Sequence, residues 1–411
     1  MRPVQVTTLR PKLRRLDRHR LDRDGEALIV LRDPIGLADP VALPAEAGVI
    51  LDLLDGERTA AQIRHTLLFR GGPRFDADEI EGLIEALAEA WLLDDDAFRE
   101  RWAALHRDFI DAPLREPIYA GVLYPRDPAQ LRGLWGALIG DPRVRRSSRE
   151  EEALLGVVLP HQPFDQIGRI LDLTLRRLPS PDSLDLIVLL GTDHHPGLTP
   201  FALTDKSYRT PLGVVQTDSS LVATLSERLP WVRREEIRHR QALSLELGAT
   251  LIQALYPEAR PPILPILCGQ TAGVAGAGGE ASDDFFAAME RELSGARVFW
   301  WTMAELCHAG LAYGRPPLTE DAADALTRHD HWLIEPLLCG RPDQLGRRLF
   351  AEDPVFGRAS GGAALSTVAR LLPVGYRGEM AWYEPFTPPG VERGLAGLVG
   401  LRLLAPGEAV R

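Results

Sequence analysis

The chain has 411 residues, of which 45% are hydrophobic and 26% charged, and its net charge is −11 at pH 7. This length predicts two or three domains, and the composition is that of an ordinary globular protein. The acidic balance argues against a nucleic-acid or membrane-surface binder. Three cysteines without CxxC spacing predict no disulfide framework and favour the reducing cytoplasm. Neither an apolar run of about 18 residues nor a signal-like apolar core is present, so we expect no membrane span and no secretory signal.

The N-terminal residues 1–24 carry eight Lys or Arg against three Asp. A run with this charge pattern and little apolar content is typical of an exposed segment. We therefore expect a basic, solvated arm here rather than a binding tail.

Residues 25–110 have the pattern of a small α+β domain. Glu26–Leu31 predicts a short strand, and apolar residues at helical spacing predict helices over 44–54, 59–68 and 79–91. The segments LLDGERTAAQI and LIEALAEAWLL, taken with the strand, resemble the PqqD-like family. That resemblance implies a winged-helix-like fold that binds leader peptides. A generic helical domain that packs on the C-terminal unit, or a winged helix with another partner, stays open as an alternative.

A second unit is predicted over residues 114–411. Apolar strand-like runs alternate there with amphipathic helices, which predicts a layered α/β domain with a largely parallel core sheet. We expect an exposed loop over Arg143–Glu152 and a mobile loop over Gly269–Ser282, the latter without a phosphate-binding motif. The predicted strands are 154–160, 185–191, 262–268 and 297–303, and the predicted helices are 164–178, 219–228, 244–256, 283–294, 320–339 and 361–372.

Histidines follow three of these predicted strands. His161 follows the first strand, His194 and His195 follow the second, and His308 comes shortly after the last. Ligand crevices in open α/β sheets lie beyond the carboxyl ends of the strands. Imidazoles delivered to one such edge predict a single pocket with a metal ion or acid–base chemistry.

A series of motifs over residues 115–365 resembles the Memo family, component B of the AmmeMemoRadiSam system. In chain order the motifs are REPIYAGVLYP, LPHQPF, LGTDHH, YRTPLG, HRQALSLE, PILCG, ELCHAG and SGGAAL. The resemblance implies a fold related to the LigB-type extradiol dioxygenases and a pocket associated with copper or iron. Position by position, that pocket would comprise His161, His194, Glu305, His308 and Ser360.

The chain departs from the family pattern at several pocket positions. Glu305 replaces an aspartate, Ser360 replaces a cysteine, and Leu243 replaces the histidine of the EHSLE motif. Without the soft thiolate, the remaining imidazole and carboxylate ligands suit Fe(II) or Zn(II) better than Cu(I). The departures also leave open that this copy has lost metal binding.

Further residues in or beside these motifs are expected to support the pocket or to be structural. Glu305 and His308 are expected on one face of a helical turn because they are three residues apart. Asp193 either orients an imidazole or caps a turn, and His195 is expected to point away from the pocket. Tyr124 and Tyr208 are expected near the pocket entrance. Two further positions are His239, expected in a solvated helical start, and Glu246, expected to bond backbone in the pocket wall.

Two functional hypotheses follow. The first is a metal-dependent oxidoreductase in which His161, His194 and His308 hold Fe, Zn or Cu, with Glu305 and His308 in catalytic roles. It would act with a radical SAM or peptide-modification system on an unidentified small molecule. The alternative is a non-catalytic adaptor or peptide-binding protein with a degenerate pocket.

Overall fold

The chain forms two compact units, residues 1–111 and 112–411, in a computed structural model. None of the helices in the described ranges is long and apolar enough to cross a bilayer. The predictions for residues 1–8, Arg143–Glu152, His195 and most of the Gly269–Ser282 loop lie outside the described residues. The structure describes residues 9–23, 26–33, 36–140, 154–194, 199–257, 261–269, 279–388 and 393–406.

The N-terminal unit combines a small antiparallel sheet with helices. Its strands lie in the order β1-β2-β3, and its core includes Ile29, Leu31, Ile63, Ile80 and Ile84. Capping boxes begin α2 and α3, where Thr59 and Asp76 each accept a hydrogen bond from a backbone N–H of the first turn. The elements are β1 (Asp17–Arg23), β2 (Glu26–Arg32), β3 (Val41–Pro44), α1 (Gly48–Leu51), α2 (Ala60–Phe69), α3 (Ala77–Glu89) and α4 (Asp96–Asp111).

The structure differs from the solvated arm predicted over residues 1–24. Strand β1 pairs along its whole length with β2. Arg14 is buried and forms an ion pair of 2.7 Å with Asp33, whose carboxylate also accepts the backbone N–H of Leu37. Charge counting missed this segment because Arg14 is paired with Asp33 inside the unit instead of being exposed to solvent.

In its described residues, the C-terminal unit has one mixed sheet of eight strands and a smaller sheet of three. Its strands are β4 (Leu114–Arg115), β5 (Leu154–Leu159), β6 (Leu186–Thr192), β7 (Phe201–Leu203), β8 (Ser207–Thr210), β9 (Gly213–Val215), β10 (Ile263–Cys268), β11 (Val298–Met303), β12 (His308–Ala309), β13 (Arg377–Phe386) and β14 (Leu395–Leu404). Its helices are α5 (Pro128–Ile139), α6 (Gly168–Thr174), α7 (Ser219–Arg228), α8 (Leu243–Leu255), α9 (Gly279–Glu292), α10 (Ala322–Leu338), α11 (Pro342–Leu349) and α12 (Gly362–Leu371).

The large sheet has the order β12-β14-β5-β11-β6-β10-β7, and β13 pairs with the outer side of β14. Its four central strands, β5, β11, β6 and β10, are mutually parallel, whereas β14 and β7 run antiparallel to them. The α/β class with a largely parallel central sheet is therefore confirmed. The predicted strands also match the observed ones to within one residue at each end.

Helices cover both faces of this sheet. Alternate residues of its strands therefore pack into two separate cores, one on each face. In β6, Leu186, Val188 and Leu190 belong to the core shared with α9 and α12. Ile187 and Leu189 belong to the core shared with α6 and α8. Strands buried on both faces read as continuous apolar runs, which is why the sequence locates them well.

The strand register brings three carboxyl ends to the same level. Met303 of β11 lies opposite Leu159 of β5 on one side and Gly191 of β6 on the other. The chain segments that leave these three strands therefore start side by side at one edge of the sheet.

Candidate functional site

Glu305 lies at the centre of a polar cluster beyond this edge. Its carboxylate is almost fully buried and accepts hydrogen bonds from the backbone N–H of His161 at 3.2 Å and from Nε2 of Gln162 at 2.9 Å. His308 Nε2 lies 3.3 Å from its second oxygen. A carboxylate with three donors can stay ionised in a site that excludes water.

The helical turn predicted for Glu305 and His308 is not present. The segment leaves β11 without regular secondary structure, and His308 starts the short strand β12 opposite Ala396. Backbone hydrogen bonds between residues 306–307 and Gly397 hold the segment against β14. The two side chains still meet, because pairing with β14 holds the segment in place rather than because of helical spacing.

His161 and His194 are in direct contact. Their Nε2 atoms are 2.8 Å apart and their ring centroids 4.9 Å apart. His161 is buried, and its Nε2 lies 3.8 Å from Oε1 of Glu305, whereas His194 is exposed. The cluster therefore has a dry inner part around Glu305 and a solvent-facing side at His194.

The electrostatics of the cluster favour the deprotonated form of both the His161 imidazole and the Glu305 carboxylate. Burial lowers the pKa of His161 and outweighs the opposing effect of Glu305. Burial acts to raise the pKa of Glu305, but the neighbouring imidazoles and the His308 hydrogen bond hold that pKa below its ordinary range. A neutral imidazole next to an ionised carboxylate is the pairing that metal ligation requires.

Two buried polar atoms in the cluster are unpartnered among the residues that the structure covers: Nδ1 of His161 and Oγ of Ser360. Ser360 lies against the Glu305 segment, since its backbone N–H donates to Leu306 and the next N–H, of Gly361, donates to the carbonyl of Glu305. Buried polar atoms without partners are rare and point to a ligand or ordered water.

The donor types suit a divalent metal ion, but the present distances are those of a hydrogen-bonded cluster. Within the described ranges, no group of three or more His, Cys, Asp or Glu side chains has the arrangement of a metal site as it stands. Two nitrogens bound at about 2.1 Å in tetrahedral geometry would be about 3.4 Å apart. To bind one ion, the Nε2 atoms of His161 and His194 would have to separate from 2.8 Å to about 3.4 Å.

Asp193 pairs with Arg238, which directly precedes His239 in the segment expected to be a solvated helical start. Nε of Arg238 donates to Oδ2 of Asp193 at 2.5 Å, and the same guanidinium donates to Glu235 at 2.9 Å. Arg238 thereby fixes the chain directly before His194. The only sequence signal for this contact is a run of arginines before α8. Residue periodicity does not show whether such arginines are exposed or form buried ion pairs.

Glu246, expected to bond backbone in the pocket wall, holds a separate buried network. It forms an ion pair with Arg115 and accepts the backbone N–H groups of Ile118 at 3.0 Å and Tyr119 at 2.9 Å. The hydroxyl of Tyr124 donates to it at 2.6 Å. Tyr124, expected near the pocket entrance, is instead almost completely buried, with its hydroxyl bonded inside the protein.

The structure also differs from two sequence expectations near this network. Tyr208 lies in strand β8, fully buried, and its hydroxyl is 2.9 Å from Nδ1 of His239. His239, expected in solvent, is fully buried as well, and its Nε2 lies 2.9 Å from the carbonyl of Ala202. Burial lowers the pKa of His239 to about 3, so this imidazole is neutral and structural.

Sequence reasoning missed two residues that contact the cluster. Gln162 was visible beside His161 but was given no role. Tyr313 packs its ring on His308 at a centroid distance of 4.6 Å, and burial, with a smaller effect of Glu305, raises its pKa to about 12. No motif marks Tyr313, because a short 3-10 helix after Gly310 brings it back to the site.

The Memo-like protein family model matches residues 115–347, more than half of the chain. This chain belongs to the Memo-like family. Similar proteins include a MEMO1 family protein of Aquifex aeolicus, 25% identical over 253 residues, which cover 61% of this chain and 65% of the relative. A MEMO1 family protein of Thermus thermophilus is 26% identical over 291 residues, 70% of this chain and 82% of the relative.

A third Memo-like relative, from Methanopyrus kandleri, is 28% identical over 149 residues, which cover 35% of this chain and 53% of the relative. The match to the family starts at Arg115, the arginine of the Glu246 network, and includes the segments that carry His161, His194, Glu305 and His308. Residues 1–111 form a compact unit outside that match.

Proposed function

We propose that this Memo-like protein binds a divalent metal ion at His161, His194 and His308 and acts as an oxidoreductase. The observation that carries the proposal is the convergence of imidazole nitrogens on one buried, ionised carboxylate at three aligned strand ends. Iron or zinc suits this donor set better than Cu(I), because Ser360 supplies no thiolate. When bound, such an ion supplies Lewis-acid or redox chemistry.

The chain's own residues would prepare the site for that ion. Glu305, held by the His161 N–H and by Gln162, would serve as a fourth ligand or as a general base. Burial keeps His161 neutral and therefore competent to ligate. His194, the exposed member of the cluster, would face a small-molecule substrate.

Metal analysis of the purified protein tests this proposal. We expect about one ion per chain in the wild type and a loss of at least tenfold in affinity in His161→Ala and His194→Ala. His65→Ala, which removes an exposed histidine of α2, is the matched control and should retain the ion. Absence of bound metal after reconstitution with Fe(II), Zn(II) and Cu(II) would overturn the proposal.

The second candidate is a non-catalytic adaptor in a peptide-modification pathway, with a radical SAM protein or a peptide as partner. The 2.8 Å imidazole contact favours it, because that contact satisfies two ring nitrogens without an ion. The separate N-terminal unit, proposed as PqqD-like, would provide the peptide-binding surface. Peptide binding that survives His161→Ala, in a protein without metal, would support this candidate over the first.

We place either function in a reducing compartment such as the cytoplasm. All three cysteines are free, and Cys268 and Cys307 are buried.

A further inference from the structure

Asp330 is a fully buried carboxylate beneath the segment that carries Glu305 and His308. It lies on α10, and its Oδ1 accepts the backbone N–H of Cys307 at 3.3 Å. Its Oδ2 accepts the hydroxyl of Tyr383, on β13, at 2.9 Å. In the part of the chain that the structure describes, no Lys or Arg pairs with it.

The strand that faces this carboxylate leaves space for it. A Cβ atom at Gly397 would lie 1.7 Å from Oδ2 of Asp330, so only glycine is compatible with the carboxylate. The same glycine accepts the N–H of Leu306 at 3.0 Å and donates to the carbonyl of Cys307 at 2.9 Å. Gly397 and Asp330 therefore hold the two residues between Glu305 and His308 from two sides.

Stability alone does not account for a carboxylate at this position. Burial raises the pKa of Asp330 to about 7, which reports an environment unfavourable to the charge. An apolar side chain of similar volume would fill the site without that cost. What such a side chain would not do is accept the Cys307 N–H and so fix the backbone between the two site residues.

We propose that Asp330 is a positioning residue for Glu305 and His308, acting through the Cys307 amide. Removing its side chain releases the backbone of the segment and lets the two site residues move apart. The consequence for metal affinity rests on the proposed function, but the consequence for the segment's backbone does not.

Hydrogen exchange and metal titration of the full-length protein together test this inference. In Asp330→Ala we expect exchange in a peptide spanning residues 304–309 to accelerate about tenfold more than in the rest of the sheet. We expect Co²⁺, used as a spectroscopic probe, to bind roughly 10–100-fold more weakly. Asp330→Asn keeps an acceptor for the Cys307 N–H and should restore both properties to within about threefold of wild type. If Asp330→Ala does not fold, Tyr383→Phe, which removes one donor to the carboxylate, should shift both in the same direction by about threefold.

Leu333→Ala is the matched control, since Leu333 is a buried core residue on the same helix without a bond to the segment. It should lower stability but leave the relative exchange at 304–309 unchanged. Equal exchange at 304–309 in Asp330→Ala and Leu333→Ala would overturn the positioning role. A wild type that does not bind Co²⁺ would instead overturn the proposed function and leave the exchange comparison decisive.

Discussion

Replacing Glu246 with glutamine should strongly destabilise the C-terminal unit. The side chains of Glu246 and Arg115 are each about 1% exposed, and the carboxylate receives further hydrogen bonds from two backbone amides and Tyr124. A glutamine fits the same volume, but its amide places a donor against at least one of these donors and leaves the guanidinium without a charge partner. Breaking one side of a buried ion pair costs about 3–5 kcal/mol.

Urea denaturation followed by tryptophan fluorescence measures this loss, with the midpoint compared at constant slope. Glu227→Gln, an exposed glutamate on α7, is the control and should change stability by no more than about 0.5 kcal/mol. Replacing both partners with apolar residues, Arg115→Met with Glu246→Leu, should not recover the loss, because the N–H groups of Ile118 and Tyr119 and the hydroxyl of Tyr124 would then lack an acceptor. A loss below about 1 kcal/mol in Glu246→Gln would refute the reasoning, because it would mean that solvent or a neighbour compensates the arginine.

Two further predictions concern backbone packing and pH. A Cβ on Gly156 would lie 2.4 Å from the carbonyl oxygen of Trp300 in the neighbouring strand, so Gly156→Ala should cost roughly 1–3 kcal/mol or more in urea denaturation. Gly133→Ala, on the exposed face of α5 with open space around it, should instead stabilise by about 0.5–1 kcal/mol, and a similar loss in both would contradict the packing argument. The pKa of Asp330 is raised from 3.8 to about 7, so its contribution to stability is complete below about pH 4 and is lost as pH rises through 7. Wild type should therefore lose about 4 kcal/mol relative to Asp330→Asn between pH 4 and pH 8, and a constant difference across that range would exclude a raised pKa.

The sequence was most informative where local pattern and burial agree. Strands β5, β6, β10 and β11 are buried on both faces and bounded by turn residues, so their positions follow from composition alone. Their order in the sheet does not, because β11 inserts between β5 and β6, which come earlier in the chain. Sequence spacing does not reveal that crossover, yet the crossover places β11, which leads to Glu305, between the strands that lead to His161 and His194.

The expectations that failed depended on charge or spacing without tertiary context. Arg14 pairs with Asp33 and Arg238 with Asp193, both across long sequence separations, and Arg238 also pairs with its near neighbour Glu235. Charge counting assigned both arginines to solvent because it does not register the distant partners. His239 was also expected in solvent because of its charged neighbours, but it is fully buried between the Tyr208 hydroxyl and the Ala202 carbonyl. Glu305 and His308 were correctly paired but for a helical reason that the backbone does not support.

An anomalous-difference map from crystals grown with Zn²⁺ or Fe²⁺ would locate a metal ion at this cluster. We expect one peak about 2.1 Å from Nε2 of His161, His194 and His308, with the 2.8 Å contact between the first two rings opened. A map without a peak at this cluster, in which those two rings remain hydrogen-bonded to each other, would contradict this expectation.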